Sequence, residues 1–208
     1  MRNYKAYFLD FDGTLFDTLD SLVGVYRSGF QAIGRDCTKE QVAVYMHMSL
    51  AQTCDYLHIA DEEQRSRFTL QIQEALDYPE FIAQIKIYDD VIPTLHRLEE
   101  RGKSIAVVSG NTERHIGLVL ERFNLSHDFS FIVGSSPTRR SKPSADPILF
   151  AMKHFPSIRF SDVVYVGDSL QDPQTAIAGG VDGILLERNK EYPNYHGQKI
   201  ATLLELAK

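Results

Sequence analysis

The sequence has few of the residues on which disulfide scaffolds, redox motifs and structural zinc sites depend. Only two of its 208 residues are cysteine, Cys37 and Cys54, and it has no tryptophan. These two cysteines are too far apart for a redox CxxC pair and too few for a zinc site. We therefore interpret both as small apolar side chains, and the sequence excludes a disulfide-stabilised scaffold.

Long hydrophobic runs and an excess of positive charge are also lacking. No run of roughly 18 apolar residues is present, and Asp10 and Asp12 interrupt the first apolar stretch, so neither a membrane span nor a signal peptide is predicted. With 22 lysines and arginines against 28 acidic residues, the net charge is −6. That charge gives no general attraction to nucleic acid or anionic lipid. We expect a cytoplasmic globular protein, monomeric or homodimeric, that binds neither nucleic acid nor membrane.

Short apolar runs alternate with helical periodicities through most of the chain. The runs at residues 6–9, 105–108, 163–166 and 184–186 are typical of strands buried on both faces, and a weaker run lies at 129–133. Amphipathic patterns with a helical period lie between the later runs. This alternation predicts an α/β fold with a parallel sheet core flanked by helices.

Residues 15–85 interrupt this alternation, because they contain several helical patterns in succession and almost no strand-like run. Thr38, Ser49 and Asp61 are each followed three residues later by glutamine, a spacing that resembles the capping box at the start of a helix. We predict an α/β core domain made of residues 1–14 and 86–208. An all-helical domain at 15–85 is inserted after its first strand.

Three of the predicted strands are followed by polar residues that can take part in chemistry. These are Asp10, Ser109 and, after an intervening glycine, Asp168. Ligands of open parallel sheets bind outside the carboxyl ends of the strands, so we expect the three side chains to converge on one crevice. Each could instead cap the helix that follows it, since aspartate and serine are favoured at that position. The coincidence of three favours a functional site.

Asp10 and Asp12 are separated by a single residue. On an extended backbone such residues point to the same side of the strand, so both carboxylates can face one substrate. Two negative charges this close are unfavourable unless a cation lies between them or one carries a proton. If a magnesium ion binds at Asp10 and Asp12 carries a proton, Asp10 can act as a nucleophile and Asp12 as a general acid. Gly13 would permit a sharp turn after them.

Asp168 and Asp172 add two carboxylates after a later strand, with Ser169 between them. Carboxylate, carbonyl and water oxygens are the ligands that Mg²⁺ prefers. Because Pro173 follows Asp172, this aspartate could instead be a helix N-cap with proline at the first helical position. We expect Asp172 to support the metal site, a role that capping would not prevent.

Ser109 and Lys142 are the candidate groups for binding an anion. Ser109 precedes Gly110 and Asn111 at a predicted strand-to-helix junction, where a hydroxyl and free backbone N–H groups can hold phosphate oxygens. A serine nucleophile is the alternative, but the sequence has no GxSxG motif and no locally positioned histidine to activate it. Lys142, in a cluster of basic residues, would offset the acidic site, although a lysine beside proline is also typical of an exposed loop.

The order of these groups resembles the haloacid dehalogenase superfamily, specifically its phosphatases with a helical cap between the first and second motifs. The resemblance spans nearly the whole chain. Its most specific elements are the Asp-x-Asp-Gly-Thr segment that begins at Asp10 and the Gly-Asp-Ser-x-x-Asp segment that contains Asp168. Ala145 stands where a second proline is usual after the lysine, and Gly110 precedes an asparagine that often follows the serine directly, but neither departure removes a catalytic group. The resemblance implies a Rossmann-like core, an all-helical cap and an activity like that of phosphoglycolate phosphatases.

The resemblance also implies a role for each motif residue. Asp10 would be the nucleophile that becomes an aspartyl phosphate. Asp12 would protonate the leaving group and then activate water. Ser109 would hold the transferring phosphoryl group, and Lys142 would neutralise Asp10 and the phosphoryl oxygens.

Mg²⁺ is the implied cofactor, bound by Asp10, the backbone carbonyl of Asp12 and Asp168, with Asp172 in support. The expected reaction is hydrolysis of a small phosphorylated metabolite. A sugar-phosphate mutase of the β-phosphoglucomutase type or a pyrophosphatase would use the same residues, so both stay open. A phospho-signalling receiver or a binding module is the non-enzymatic alternative. The paired aspartates and the helical insertion argue against a receiver. A binding module would be expected to have lost at least one catalytic group, and this sequence retains all of them.

Substrate-binding candidates are present in both predicted domains. In the core they are Thr14, Gly110 and Asn111. In the insertion, the segment around His47 lies where caps of this subfamily select the substrate, and Arg27 could meet a second anionic group. Both residues of the insertion could instead belong to a structural or solvated helix surface.

Overall fold

The structure is a computed structural model that describes residues 2–207 and divides them into two compact units. One unit extends through Phe16 and resumes at Ile87, and the other is Asp17–Lys86. The boundaries expected for the insertion, 15 and 85, lie two residues and one residue before those of the second unit. Among residues 2–207, none of the helices combines the length and the apolar character that a membrane span requires.

The core unit is built on a six-stranded sheet whose paired strands are parallel. The strands of residues 2–207 are, in chain order, β1 (Ala6–Leu9), β2 (Phe16–Asp17), β3 (Lys86–Ile87), β4 (Ser104–Val108), β5 (Phe131–Val133), β6 (Val163–Gly167), β7 (Asp182–Leu186) and β8 (Lys199–Ile200). The sheet order is β5-β4-β1-β6-β7-β8, and β2 pairs separately with β3. The predicted parallel sheet is confirmed, and the short edge strand β8 has no counterpart among the predicted strands.

Strand β1 lies inside this sheet, between β4 and β6. All four of its residues are buried, as is typical of a parallel strand covered on both faces. Phe8 belongs to one hydrophobic cluster with Ala106 and Tyr165, which are its register partners on the two neighbouring strands. The residues that follow β4, β1 and β6 therefore emerge side by side at the carboxyl edge of the sheet.

Helices account for most of the remaining regular structure. In chain order they are α1 (Leu19–Ala32), α2 (Lys39–Tyr45), α3 (Leu50–Tyr56), α4 (Glu62–Leu76), α5 (Pro79–Ile82), α6 (Val91–Glu100), α7 (Glu113–Arg122), α8 (Asp146–Met152) and α9 (Gln171–Gly179). Helix α7 begins after Thr112, whose hydroxyl accepts a hydrogen bond from the His115 N–H. Helix α9 ends at Gly179, and the next residue, Gly180, has the positive φ of +77° that favours glycine after a helix.

The second unit contains α1 to α5, as the run of helical patterns predicts. Thr38 and Ser49 each form both hydrogen bonds of a capping box, and the Asp61 carboxylate caps α4. Cys37 and Cys54 are buried free thiols in its hydrophobic core, which confirms their interpretation as small apolar side chains. The core of this unit is rich in aromatic rings, which come from Tyr26, Phe30, Tyr45 and Phe68.

Candidate active site

Asp10, Ser109 and Asp168 follow three adjacent strands of the core sheet. Hydrogen bonds of the sheet continue to the first two, because the Asp10 N–H donates to the Val166 carbonyl and the Ser109 N–H to the Val133 carbonyl, both at 2.9 Å. Asp10 and Ser109 are buried, and Asp168 is half-buried. The structure thus brings all three predicted side chains to the same edge of the sheet.

Three carboxylates form an acidic cluster at this edge. One oxygen each from Asp10, Asp168 and Asp172 lies within 4.8 Å of the others. Oδ1 of Asp168 is buried and has no hydrogen-bond partner among the described residues. Buried carboxylates this close together are unfavourable without compensating positive charge or protons. The cluster can therefore bind a divalent cation.

Lys142 supplies positive charge from the loop between β5 and α8. Its Nζ lies 2.8 Å from Asp10 Oδ2 and 2.7 Å from Asp172 Oδ1, and its side chain is only 16% exposed. The structure thereby rejects the alternative that this lysine is a solvated loop residue. A single ammonium compensates one of the three negative charges, so the need for further positive charge remains.

The pKa shifts follow from this balance of burial and charge. Burial raises the pKa of Asp10 to about 7, although the Lys142 ammonium acts in the opposite direction. Burial also raises the pKa of Asp168 well above its usual value, and the charges of Asp172 and Asp10 add to the effect. Burial would lower the pKa of Lys142, but Asp10 and Asp172 outweigh it and raise that pKa. Asp10 and Asp168 are therefore the two carboxylates whose charged forms most require a further positive charge nearby.

Asp172 is held on all sides by protein groups. Its Oδ2 accepts hydrogen bonds from the Ser169 N–H at 2.9 Å and the Ser169 hydroxyl at 2.8 Å, and its Oδ1 accepts from Lys142 and Tyr165. Burial raises the pKa of Asp172, but Lys142 and Ser169 outweigh burial and leave the pKa lowered. The alternative that Asp172 is an N-cap is wrong, because it lies inside α9 and Leu170 is the N-cap.

Gly13 permits the close approach of the first and last acidic motifs. Its φ is +68°, and a Cβ built on it would lie 1.9 Å from Asp168 Oδ2. Any larger residue would displace the Asp168 carboxylate or the turn that follows Asp12. The sequence predicts glycine here for the turn, and the structure adds the contact with Asp168 as a second reason.

Asp12 is oriented by a side chain from the neighbouring loop. Its Oδ2 accepts a hydrogen bond of 2.7 Å from Asn111 Nδ2, while its Oδ1 is buried with no partner among the described residues. The Asn111 N–H in turn donates to the Ser109 hydroxyl at 3.2 Å. Asn111, predicted to bind substrate, thus connects Ser109 with Asp12.

The other core candidates lie near these groups in the sequence but differ in exposure. Thr14 is fully buried, its hydroxyl has no partner among residues 2–207, and its carbonyl accepts a hydrogen bond from Arg188. Gly110 is exposed, and no described atom lies within 4 Å of where its Cβ would be. No contact of the structure therefore requires glycine at position 110.

His47 and Arg27 belong to the helical unit. His47 lies between α2 and α3 and is half-buried. Arg27 is on α1, where its Nε donates to the Cys37 carbonyl at 3.5 Å and lies 3.9 Å from an Asp36 carboxylate oxygen. Both of these contacts of Arg27 are local to its own unit. Substrate binding by the two residues stays a prediction.

Two groups at the site have no motif to reveal them. Tyr165 is hidden in the apolar run of β6, yet its hydroxyl contacts Lys142. Arg188 donates to the Thr14 carbonyl from a position 174 residues away. A tyrosine inside a fully buried strand is the only sequence signal for the first, and we find no signal for the second.

Comparison with known proteins identifies the family. The model of the haloacid dehalogenase-like hydrolase family matches residues 7–186. Phosphoglycolate phosphatase 1 of Pseudomonas aeruginosa is 28% identical over 206 residues, covering 95% of this chain and 73% of the relative. A protein of Caldanaerobacter subterraneus that carries the name pyrophosphatase PpaX is 27% identical, covering 98% and 94%.

A solved structure agrees with the sequence relatives. The crystal structure of a haloacid dehalogenase-like hydrolase from Bacteroides fragilis superposes with a TM-score of 0.88 at 26% identity, covering 98% of this chain and 99% of the other. This chain belongs to the haloacid dehalogenase-like hydrolase family. Within that family it is a phosphatase similar to the phosphoglycolate phosphatases. The family expected from the sequence motifs is confirmed.

Proposed function

We propose that the protein hydrolyses a small phosphomonoester through an aspartyl-phosphate intermediate on Asp10. The observation that carries this proposal is the position of the Asp10 carboxylate. It is buried at the end of β1, within 2.8 Å of the Lys142 ammonium and within 4.8 Å of two other carboxylates. A nucleophile beside positive charge suits phosphoryl transfer, because the oxygens bound to phosphorus carry negative charge that must be neutralised.

A divalent cation fits the acidic cluster. The unpartnered Oδ1 of Asp168 and the clustering of three carboxylates are the features expected of such a site, and its all-oxygen donor set suits Mg²⁺. Asp10, Asp168 and the backbone carbonyl of Asp12 would hold the ion, with Asp172 in support through Lys142 and Ser169. When bound, Mg²⁺ neutralises carboxylate and phosphoryl charge and orients the substrate.

The two chemical steps divide between Asp10 and Asp12. In the first, an Asp10 carboxylate oxygen bonds to phosphorus while the bond from phosphorus to the leaving oxygen breaks, and Asp12 gives that oxygen a proton. In the second, Asp12 takes a proton from water as the water oxygen attacks phosphorus, which releases inorganic phosphate and restores the Asp10 carboxylate. Asn111 engages one oxygen of Asp12, so the other is left to carry the proton.

Ser109 and Lys142 bind the transferring phosphoryl group. The Ser109 hydroxyl accepts a hydrogen bond from the Asn111 N–H, so its own hydrogen is available to donate to a phosphoryl oxygen. The Lys142 ammonium contacts Asp10 directly and would neutralise the charge that the phosphoryl group brings. Backbone N–H groups near Gly110, together with Thr14, complete the proposed phosphate site.

The helical unit is the proposed cap domain, with boundaries near residues 15–85. It would exclude water and select the leaving group, with His47 and Arg27 as candidate contacts. Phosphoglycolate is the first substrate to test, because several relatives carry the name phosphoglycolate phosphatase. Pyrophosphate is the second, since the relative named pyrophosphatase PpaX matches over 94% of its length.

Phosphate release from purified protein tests the proposal. Phosphoglycolate, sugar phosphates, nucleotides and pyrophosphate are supplied with Mg²⁺ or with a chelator, to the unmodified chain and to the Asp10→Asn variant. Asp182→Asn is the control for removing a carboxylate charge, because Asp182 begins β7 and so lies at the amino end of the strands, away from the site. We expect release that requires Mg²⁺ and is lost only in Asp10→Asn. Equal release by Asp10→Asn would refute the proposed nucleophile, and transfer between sugar positions without release would favour the mutase.

A further inference from the structure

Tyr165 has no part in the reaction proposed above, yet its hydroxyl lies among the groups that carry out that reaction. The residue is in β6 and its side chain is fully buried. Its hydroxyl oxygen lies 3.1 Å from Lys142 Nζ, 3.1 Å from Asp172 Oδ1 and 2.9 Å from the Val108 carbonyl oxygen. All three distances are within hydrogen-bond range.

Counting donors defines the role of this hydroxyl toward Lys142. An ammonium has three N–H donors and no acceptor, so the hydroxyl must accept the hydrogen bond from Lys142. Its single hydrogen is then left for its two acceptors, the Val108 carbonyl at 2.9 Å and the Asp172 carboxylate at 3.1 Å. The three N–H groups of Lys142 are thereby divided among Asp10, Asp172 and Tyr165.

The tyrosine is anchored more firmly than the lysine that it contacts. Tyr165 belongs to β6 and Val108 ends β4, and β1, which precedes Asp10, lies between these strands. The phenol therefore spans the strand of the proposed nucleophile and is fixed to the sheet at both ends. Lys142, by contrast, extends from a loop on a flexible four-carbon stem.

We propose that Tyr165 is a positioning residue, which directs the Lys142 ammonium toward Asp10 and the phosphoryl group that Asp10 receives. The inference rests on the proposed function. If the hydroxyl is removed, the protein acceptors left to the ammonium among these groups are Asp10 and Asp172. The ammonium can then turn toward Asp172, and the charge that the transition state requires is misplaced.

The Tyr165→Phe variant tests this role because it removes only the hydroxyl. We expect kcat to fall about tenfold, as is typical when a hydrogen bond to a charged group is lost. KM and the Mg²⁺ concentration for half-maximal activity should stay within about twofold, because Tyr165 binds neither substrate nor metal in this proposal. Tyr4→Phe is the matched control. It removes another buried tyrosine hydroxyl, which donates to Asp182 at the opposite edge of the sheet.

A double-mutant cycle separates an effect through Lys142 from a general loss of structure. Affinity for orthovanadate in the presence of Mg²⁺ is measured by calorimetry, since binding can be read even where turnover is lost. When Lys142 is present, Tyr165→Phe should weaken vanadate binding about tenfold. When Lys142 is replaced by methionine, the same substitution should leave vanadate binding unchanged. Equal weakening in both backgrounds would contradict the proposal, because the tyrosine would then act independently of the lysine.

Thermal unfolding completes the design. A purely structural role predicts that Tyr165→Phe lowers Tm as Tyr4→Phe does while kcat is unchanged, and that result overturns the inference. If Tyr165→Phe does not fold, Tyr165→Leu, which also lacks the hydroxyl, is measured in the same assays. Failure of the proposed function would be recognised separately, because Asp10→Asn would then turn over substrate as fast as the unmodified chain.

Discussion

Asp90 and Arg188, which are 98 residues apart in the sequence, form a bidentate salt bridge. Arg188 Nη1 lies 2.8 Å from one Asp90 carboxylate oxygen and Nη2 lies 2.9 Å from the other. Nη2 also donates to the Thr14 carbonyl at 2.9 Å, and the guanidinium lies over the Tyr88 ring. The Asp90 carboxylate accepts two more hydrogen bonds, from Thr202 and the Leu203 N–H. The pair thus connects the turn after the proposed acid Asp12 to the C-terminal segment of the core.

Breaking this pair should destabilise the core. Both side chains are mostly buried, at 10% and 17% exposed, and removing one partner leaves the other charge without its counterpart. We expect Arg188→Met to lower the free energy of unfolding by about 3 kcal/mol, measured by urea denaturation. The control is Lys39→Met in the helical unit, whose pair with Asp20 is half exposed and whose loss should hardly change stability. Similar effects in the two variants would contradict this expectation.

The same pair predicts a pH dependence of stability. Burial raises the pKa of Asp90, but the hydrogen bonds from Arg188, Thr202 and the Leu203 N–H outweigh it and leave the pKa lowered. A carboxyl whose pKa is lower in the folded state stabilises the fold above its unfolded pKa, near 3.9, and loses this contribution as pH falls through the folded value. The stability difference between the unmodified chain and Asp90→Asn should therefore shrink below about pH 4. Urea denaturation from pH 6 to pH 3 measures it, and a difference that does not change with pH would refute this explanation.

Gly13→Ala should disable the site while the fold survives. The added Cβ would collide with Asp168 Oδ2, so we expect kcat to fall at least about a hundredfold and the Mg²⁺ requirement to rise. Gly102→Ala is the matched control in the same unit, because its φ is +65° but nothing lies within 4 Å of its Cβ position. Both variants carry the strain of a positive φ, so equal losses of activity would show that strain and not the collision is responsible.

Asn111→Ala tests how Asp12 is oriented. Without the 2.7 Å hydrogen bond to Asp12, proton delivery to the leaving group should slow, and kcat for an alkyl phosphate should fall about tenfold. p-Nitrophenyl phosphate has a leaving group that needs little protonation, so its phosphorylation step should be nearly unaffected. Asn3→Ala, which removes an exposed partner of Lys103, is the control. A loss that is the same for both substrates would assign Asn111 to phosphate binding instead.

Local sequence signals were sufficient to predict the parallel sheet and the polar residues that follow β1, β4 and β6. Buried parallel strands appear as continuous apolar runs, and their carboxyl ends mark the ligand edge of the sheet. The two-residue strand β8 could not be found this way, because it is shorter than any periodicity. The role of Asp172 could be decided only from the three-dimensional structure, since an aspartate before proline is compatible both with capping a helix and with a buried hydrogen-bond network.

Long-range polar contacts were beyond the sequence for a different physical reason. The Asp90 carboxylate and the Arg188 guanidinium meet only because β7 and the start of α6 are brought together by the fold. Tyr165 has the apolar character of a core residue along most of its length, and only its terminal oxygen reaches the site. A one-dimensional pattern records which residues are apolar, but it does not record where the polar tip of a buried side chain ends.

The central claim is that Asp10 becomes phosphorylated during turnover. A ³²P-labelled form of the best substrate from the phosphate-release panel is mixed with the unmodified enzyme and Mg²⁺, quenched with acid within one turnover, and the protein is digested and its labelled peptide sequenced. The predicted result is label on the peptide that contains Asp10, released by hydroxylamine as an acyl phosphate and absent in Asp10→Asn. Label that resists hydroxylamine and maps to Ser109, or turnover with no labelled protein, would contradict the claim.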